Sequence, residues 1–419
     1  MPSQYDIWFV PSNTSHLTKF KSVMEPLRQL GLGVHVLCVD STLEPMHHCL
    51  DQIERSGFPF EVLPSGGFDP SEHWLRQRLH RDRLEREFDK FLGGLKADAL
   101  VLGYDSYVNC RAVVRVARKR GIATVLIPDG LVLIPNRKHK GPLAARVATC
   151  IQRWLGVASS RGTSGVDAVV AMNEAGKQAL VHGGVRQDKV VVVGSTEYDE
   201  LAKRLAAGAT PAPREELRRR LGLPQDRPIV FFAHQTLDGT DEQLFRAMVD
   251  GVRRCGAVLL VKLHPRGDQF PQNWRDWAQR EHISPQEAVF VREGCTTVEI
   301  LQASAACVTA FSTVALEAFV CNCPLVLIQY LDVEFSLPYG RQYGAALDAN
   351  SPGELADAIV TAVSDEPTRR KLARGRQLAI QGELLGLDGQ SSRRIVDAIV
   401  QTIEQKQRGL ARPSGADPS

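Results

Sequence analysis

The chain has 419 residues, 51 basic against 48 acidic, a net charge of +3, with 43% hydrophobic and 24% charged residues. At roughly 100–200 residues per domain this length favours two or three domains, and the near-balance of charge argues against a dedicated nucleic-acid binder. The nine cysteines are odd in number, scattered and without CxxC spacing; only Cys321 and Cys323 flank a single residue, and the set reads as reduced thiols of a cytosolic protein.

The opening, MPSQYDIWFV, lacks the basic and apolar regions of a signal peptide, and no apolar run approaches the ~18 residues needed to span a bilayer. A cytoplasmic location is therefore expected. Asp6–Val10 reads as a strand and His16–Leu30 as a helix, with Leu17, Phe20, Met24 and Leu27 at helical spacing and Gly31 just past its end. Val34–Val39 is the next strand. Further strands are expected at Glu61–Leu63, Ala99–Leu102, Thr124–Ile127, Ala168–Ala171 and Val190–Val193. Strands alternating with helices imply βαβ units and a parallel sheet.

Residues 199–226 are charged and proline-rich with no strand pattern, and read as a linker. Alternation then restarts at Ile229–Ala233, Ala257–Leu263, Ala288–Val291, Ala306–Thr309 and Leu325–Ile328. The expectation is an α/β protein of two Rossmann-like doubly wound domains facing a cleft. They are placed at 1–198 and 227–390, with a helix at 391–407 packing back on the first and a disordered tail at 408–419.

Three stretches carry candidate chemistry. In VKLHPRGD (261–268) a buried-looking strand runs into His264, which Pro265 pushes outward; Lys262 and Arg266 suit a phosphate. In TAFSTVALEAFVCNCPLVLI (309–328), Ser312 and Thr313 sit at a helix start, where free N–H groups favour anions, and Glu317 lies on the same helix face to accept ribose hydroxyls. The bland alternative is an ordinary N-cap with a surface glutamate. In TVLIPDGLVLIP (124–135) a strand ends at Pro128 before Asp129 and Gly130, a candidate general base at a strand end or a common turn pair.

Lesser candidates are Gly194 and Ser195 at another strand end, and His234, Gln235 and Thr236 after Ile229–Ala233. Asp105 in GYDSY also qualifies, as do Ser12 and Asn13 in the first strand–helix loop. That loop lacks GxGxxG, and GxxxxGK[ST] and GxSxG are absent throughout. The basic stretch Arg137–Arg153 reads as a solvated helix or as a contact with an anionic membrane.

Taken together, the HP element after one strand and the S-T-x-x-x-E element after another resemble the GT-B glycosyltransferases. The nearest are the capsule, sialyl- and Kdo-type transferases and the CDP-glycerol glycerophosphotransferases. VVVGSTEYDEL (191–201) resembles their domain crossover and LDGQSSRRIVDAI (387–399) their closing helix. The resemblance implies a nucleotide-sugar donor, cytidine-linked, as co-substrate and a glycan or glycolipid as acceptor. His264 with Ser312 and Thr313 would hold the donor phosphate and Asp129 would act as base. Inverting transfer without metal or other cofactor is expected. Some of these families carry two acidic residues before the glycine, whereas here Pro128 precedes Asp129. UDP-GlcNAc 2-epimerases share the fold and a similar Ser element, so an epimerase, or a non-catalytic nucleotide-sugar-binding protein, stands as the alternative.

Overall fold

The computed structural model describes residues 4–12, 14–39, 52–63, 74–106, 108–128, 130–134, 161–208, 214–235, 241–263, 272–284, 287–331, 333 and 335–411. The chain divides into two compact units. One holds the N-terminal elements as far as Asp199 together with the stretch from Asp388 onward; the other holds Glu200–Leu387.

The first unit is built on a seven-stranded parallel sheet of β1 (Asp6–Val10), β2 (Gly33–Val39), β3 (Phe60–Leu63), β4 (Ala99–Leu102), β5 (Ala123–Leu126), β6 (Ala168–Ala171) and β7 (Val190–Val192), in the order β3-β2-β1-β4-β5-β6-β7. Its helices are α1 (Thr14–Gln29), α2 (Trp74–Gly93), α3 (Val108–Lys119), α4 (Glu174–His182), α5 (Thr196–Ala206, crossing into the second unit) and the terminal α14 (Ser391–Ala411). The strands read as continuous apolar runs because both faces are covered. Ile7 and Phe9 of β1 pack with Leu17 and Phe20 of α1 and Ile395 and Ile399 of α14, while Trp8 and Val10 face Leu84 and Phe88 of α2 and Val113 of α3. Gly31, at φ +77°, ends α1 in the left-handed region where a side chain would be strained.

The second unit repeats the plan with six parallel strands, β8 (Ile229–Ala233), β9 (Val258–Lys262), β10 (Ala288–Val291), β11 (Ala306–Thr309), β12 (Leu325–Ile328) and β13 (Ala346–Ala349), ordered β10-β9-β8-β11-β12-β13. Around them run α6 (Arg214–Leu221), α7 (Asp241–Arg254), α8 (Gln272–Arg280), α9 (Thr297–Ala303), α10 (Val314–Val320), α11 (Tyr339–Tyr343), α12 (Pro352–Ser364) and α13 (Glu366–Glu383). Val230, Phe232, Leu259 and Val261 pack against Phe245 and Met248 of α7, Trp274 of α8 and Ile359 of α12. Both sheets are wound from the middle outwards, so each has a switch point where successive strands leave in opposite directions: β1/β4 in the first and β8/β11 in the second.

Several expectations shift. Strand ends move by a residue, Ala257–Leu263 contracting to Val258–Lys262. The stretch 199–226 carries part of α5 and the whole of α6. The terminal helix runs on to Ala411 rather than stopping at Gln407, its last turn carrying an Arg408–Glu404 ion pair, and residues 408–411 are thus helical rather than tail. β13 is a strand that the sequence reading lacked.

Candidate functional site

In open parallel sheets ligands bind beyond the carboxyl ends of the strands, at the switch point. In the second unit β8 delivers His234 and Gln235 there, β9 delivers Lys262, and β11 delivers the turn from Ala310 to Thr313. Gln235 organises this end. Its side-chain Oε1 accepts from the backbone N–H of Ala310 at 3.2 Å and of Phe311 at 3.0 Å, and from Thr309 Oγ1 at 3.3 Å. One amide thereby satisfies three donors of the β11–α10 turn and fixes its path.

Beyond that turn, Ser312 Oγ accepts from the Val314 N–H at 3.2 Å, which leaves its own O–H as a donor. α10 then buries Ala315, Leu316, Ala318 and Phe319, so Thr313 and Glu317 lie on its half-exposed stripe, one turn apart. Only seven residues long, α10 gives a weak dipole; the hydroxyls and the fixed turn contribute more than the expected helix field.

His234 donates its backbone N–H to Lys262 O at 3.0 Å, joining the ends of β8 and β9. Its half-buried imidazole stands edge-on to Trp274 at 5.3 Å. Lys262 was expected to meet the donor phosphate. Instead its ammonium donates to Cys295 O at 2.8 Å and contacts Thr297 Oγ1 at 3.4 Å, because the side chain leaves β9 toward the loop after the neighbouring β10. It is a tether between strand ends.

In the first unit the described residues at the β1/β4 switch point pack closely. His16, 2% exposed, accepts from the Ser12 N–H at 3.1 Å through Nδ1 and lies so close to Gly103 that a Cβ there would sit 2.3 Å from the ring. Ser12 Oγ lies 3.8 Å from Cys110 Sγ, a thiol that burial pushes up to about 12. Asp105, expected to touch acceptor, is fully buried. Its two carboxylate oxygens accept the N–H groups of Gly162 at 2.9 Å and Ser164 at 3.2 Å, so it latches the segment that leads into β6 and cannot reach a ligand.

Gly194 follows β7 with φ +89° and turns the chain into α5, and the Ser195 carbonyl accepts from the Asp199 N–H at 3.1 Å. Gly130 is exposed with φ +67°. Asn13, Asp129, Thr236, His264, Pro265 and Arg266 lie outside the described residues, as does the basic stretch 137–153. The structure thus brings together His234, Gln235, Ser312, Thr313 and Glu317. Among the described residues, no three His, Cys, Asp or Glu side chains gather as a metal site, and no helix is long and apolar enough to cross a membrane.

Neither a family model nor a curated protein matches the sequence. Solved structures do match its fold. The UDP-GlcNAc 2-epimerase from Neisseria meningitidis, bound to UDP-GlcNAc, is similar over 94% of this chain and 100% of its own, with a TM-score of 0.65 and 13% identity. A glycosyltransferase from Rickettsia africae is similar over 98% and 99%, with a TM-score of 0.62 and 13% identity. HepE from Anabaena, in complex with UDP, covers 97% and 99% at a TM-score of 0.58 and 15% identity.

The fold is GT-B. At these identities the likeness speaks for architecture, and activity must be argued from the residues of this GT-B chain.

Proposed function

We propose that this GT-B chain is a nucleotide-sugar enzyme that binds the nucleotide diphosphate at the C-terminal edge of its second sheet and transfers the sugar to a glycan or glycolipid hydroxyl. The observation that carries the reading is Gln235, which holds the β11–α10 turn so that Ser312, Thr313 and Glu317 stand at the β8/β11 switch point. The hydroxyls donate to phosphate oxygens and the Glu317 carboxylate accepts from ribose hydroxyls.

His264 and Arg266 follow β9 in sequence, beside β8, and in this reading stabilise the charge that builds on the leaving diphosphate. Asp129 takes the proton of the acceptor hydroxyl as its oxygen bonds to the anomeric carbon and the carbon–phosphate-oxygen bond breaks, inverting that centre. Gly194 and Ser195, the turn after β7, and Gly130 with Ser12 and Asn13 complete the proposed donor and acceptor contacts. The nucleotide is uridine diphosphate rather than the cytidine nucleotide expected from sequence, a choice supported by the Neisseria meningitidis epimerase, bound to UDP-GlcNAc, and Anabaena HepE, in complex with UDP.

A second reading, epimerisation of the nucleotide-linked sugar, is favoured by the epimerase neighbours, which reach a TM-score of 0.65 over as much as the whole chain. Incubating the protein with UDP-GlcNAc alone in D2O separates the two. Deuterium entering at sugar C2 with appearance of the C2 epimer identifies the epimerase. Sugar leaving UDP only when a glycan or glycolipid extract is added identifies the transferase. Failure to bind UDP at all rejects both.

A further inference from the structure

The end of the second sheet away from Gln235 is strongly basic. Pro228, Ala305 and Pro324, which lead into β8, β11 and β12, line a hollow of about 520 Å³. Five arginines surround it, Arg214, Arg218, Arg227, Arg369 and Arg376, against one carboxylate, Asp226. Arg214 Nε donates to Gln302 O at 3.0 Å, Arg218 to Pro224 O, and Arg227 to Gly256 O at 2.9 Å and to Ala257 O. Backbone carbonyls aim these guanidinium groups.

Arg369 is neutralised by Glu366. Arg376, half-buried on α13, makes no hydrogen bond or ion pair among the described residues. Burial pushes Arg218 and Arg376 below the usual arginine range, and Arg214 lowers Arg218 further. Positive charge has thus been gathered and oriented with too little negative charge to meet it.

We propose that this hollow binds a small anion bearing a diphosphate group, as pyrophosphate or a nucleoside diphosphate, at a site separate from the switch point. The volume falls within the ~300–1,000 Å³ of small-molecule sites. Planar guanidinium forks match phosphate oxygens in pairs. A concave site in a chain of net charge +3 does not suit an extended polyanion such as nucleic acid. Asn322, also in its lining, directly follows Cys321 at the end of α10, whose other end begins at Ser312 and Thr313, so one short helix joins the two ends of the sheet.

The test is calorimetric titration of the full chain with pyrophosphate and separately with ADP. A site retained in Ser312→Ala and weakened at least tenfold in the double variant Arg214→Gln/Arg376→Gln is expected. Equal affinities for pyrophosphate and ADP assign recognition to the diphosphate; tighter ADP binding adds the nucleoside. Should the double variant melt before titration, Arg376→Lys decides, because it keeps the charge and loses the fork: a several-fold loss supports the site and unchanged affinity rejects it. Unchanged affinity in the double variant, loss of pyrophosphate binding in Ser312→Ala, or an arginine-dependent affinity for phosphatidylglycerol vesicles with none for pyrophosphate overturns the proposal. Arginine-dependent pyrophosphate binding in a chain that ignores UDP would keep this site while rejecting the proposed function.

Discussion

The carboxylate of Asp199 accepts the buried backbone N–H of Ser391 at 3.0 Å, joining residues 192 apart in sequence. These are the points where the chain leaves the first unit and returns to it. Asp199→Ala strands that N–H at the start of α14, at about 1–3 kcal/mol. For a unit of this size that is roughly 2–4 °C of melting temperature per kcal/mol. Asp199→Asn, which still offers an oxygen, should lose less. Calorimetric melting of both checks this, and equal melting of wild type and Asp199→Ala would show the bond to be dispensable.

Gln235→Ala removes the acceptor shared by Ala310, Phe311 and Thr309. The turn that presents Ser312 then loses its single conformation. UDP affinity should fall about tenfold or more, corresponding to 1.4 kcal/mol, while Gln235→Glu, which keeps the oxygen, retains most of it. Titration calorimetry with UDP reads the difference. Equal affinities for wild type and Gln235→Ala would remove Gln235 from the site.

Gly103→Ala should destabilise the first unit, because the new Cβ would meet the His16 ring at 2.3 Å. The ring is packed into a buried place and cannot yield cheaply, and overpacking of this kind costs about 1–3 kcal/mol. Since the clash is with one side chain, Gly103→Ala combined with His16→Ala should cost less than the two separate losses added. Denaturant unfolding of the four proteins gives the coupling; strict additivity would mean that the backbone, rather than His16, resists the methyl group.

Glu287 sits below the ordinary carboxylate range, at about 2 instead of 4.5, held there first by the Ser284 N–H and then by Arg253, whose Nε lies 2.8 Å away. A carboxyl with a depressed folded pKa contributes stability that is complete above its unfolded value and lost as pH falls through the folded one. The contribution is therefore present above about pH 4.5 and fades toward pH 2. Glu287→Gln should melt lower than wild type at pH 7 and approach it at pH 2.5. A constant difference across that range would deny the linkage.

The parallel architecture was legible because buried strands such as ALVL (99–102) and IVFFA (229–233) are unbroken apolar runs between helical stretches. β13 escaped notice because its sequence, ALDA, combines weak strand formers with a carboxylate. Asp348 is tolerated there by a hydrogen bond from Gln329 Nε2 at 3.1 Å, a partner that no local pattern announces. The same limit applies to the site. A residue's position after a strand was readable, but not its orientation: Lys262 and Asp105 were placed at the right strand ends, yet one turns to a neighbouring loop and the other inward. Gln235 stood out only as one of three polar residues after β8, since its partners lie some 75 residues away.

The discontinuity of the first unit orders events during synthesis. Residues 200–387 of the second unit follow one another without interruption, whereas the unit begun first needs α14, which supplies Ile395, Ile399 and Ile403 to its core and Lys406 to Asp167 at 2.9 Å. On the ribosome, the half of the molecule that emerges first is therefore the last to be completed. Until the final helix leaves the exit tunnel, the apolar face of β1 and α1 that it covers stays open to chaperones and to aggregation.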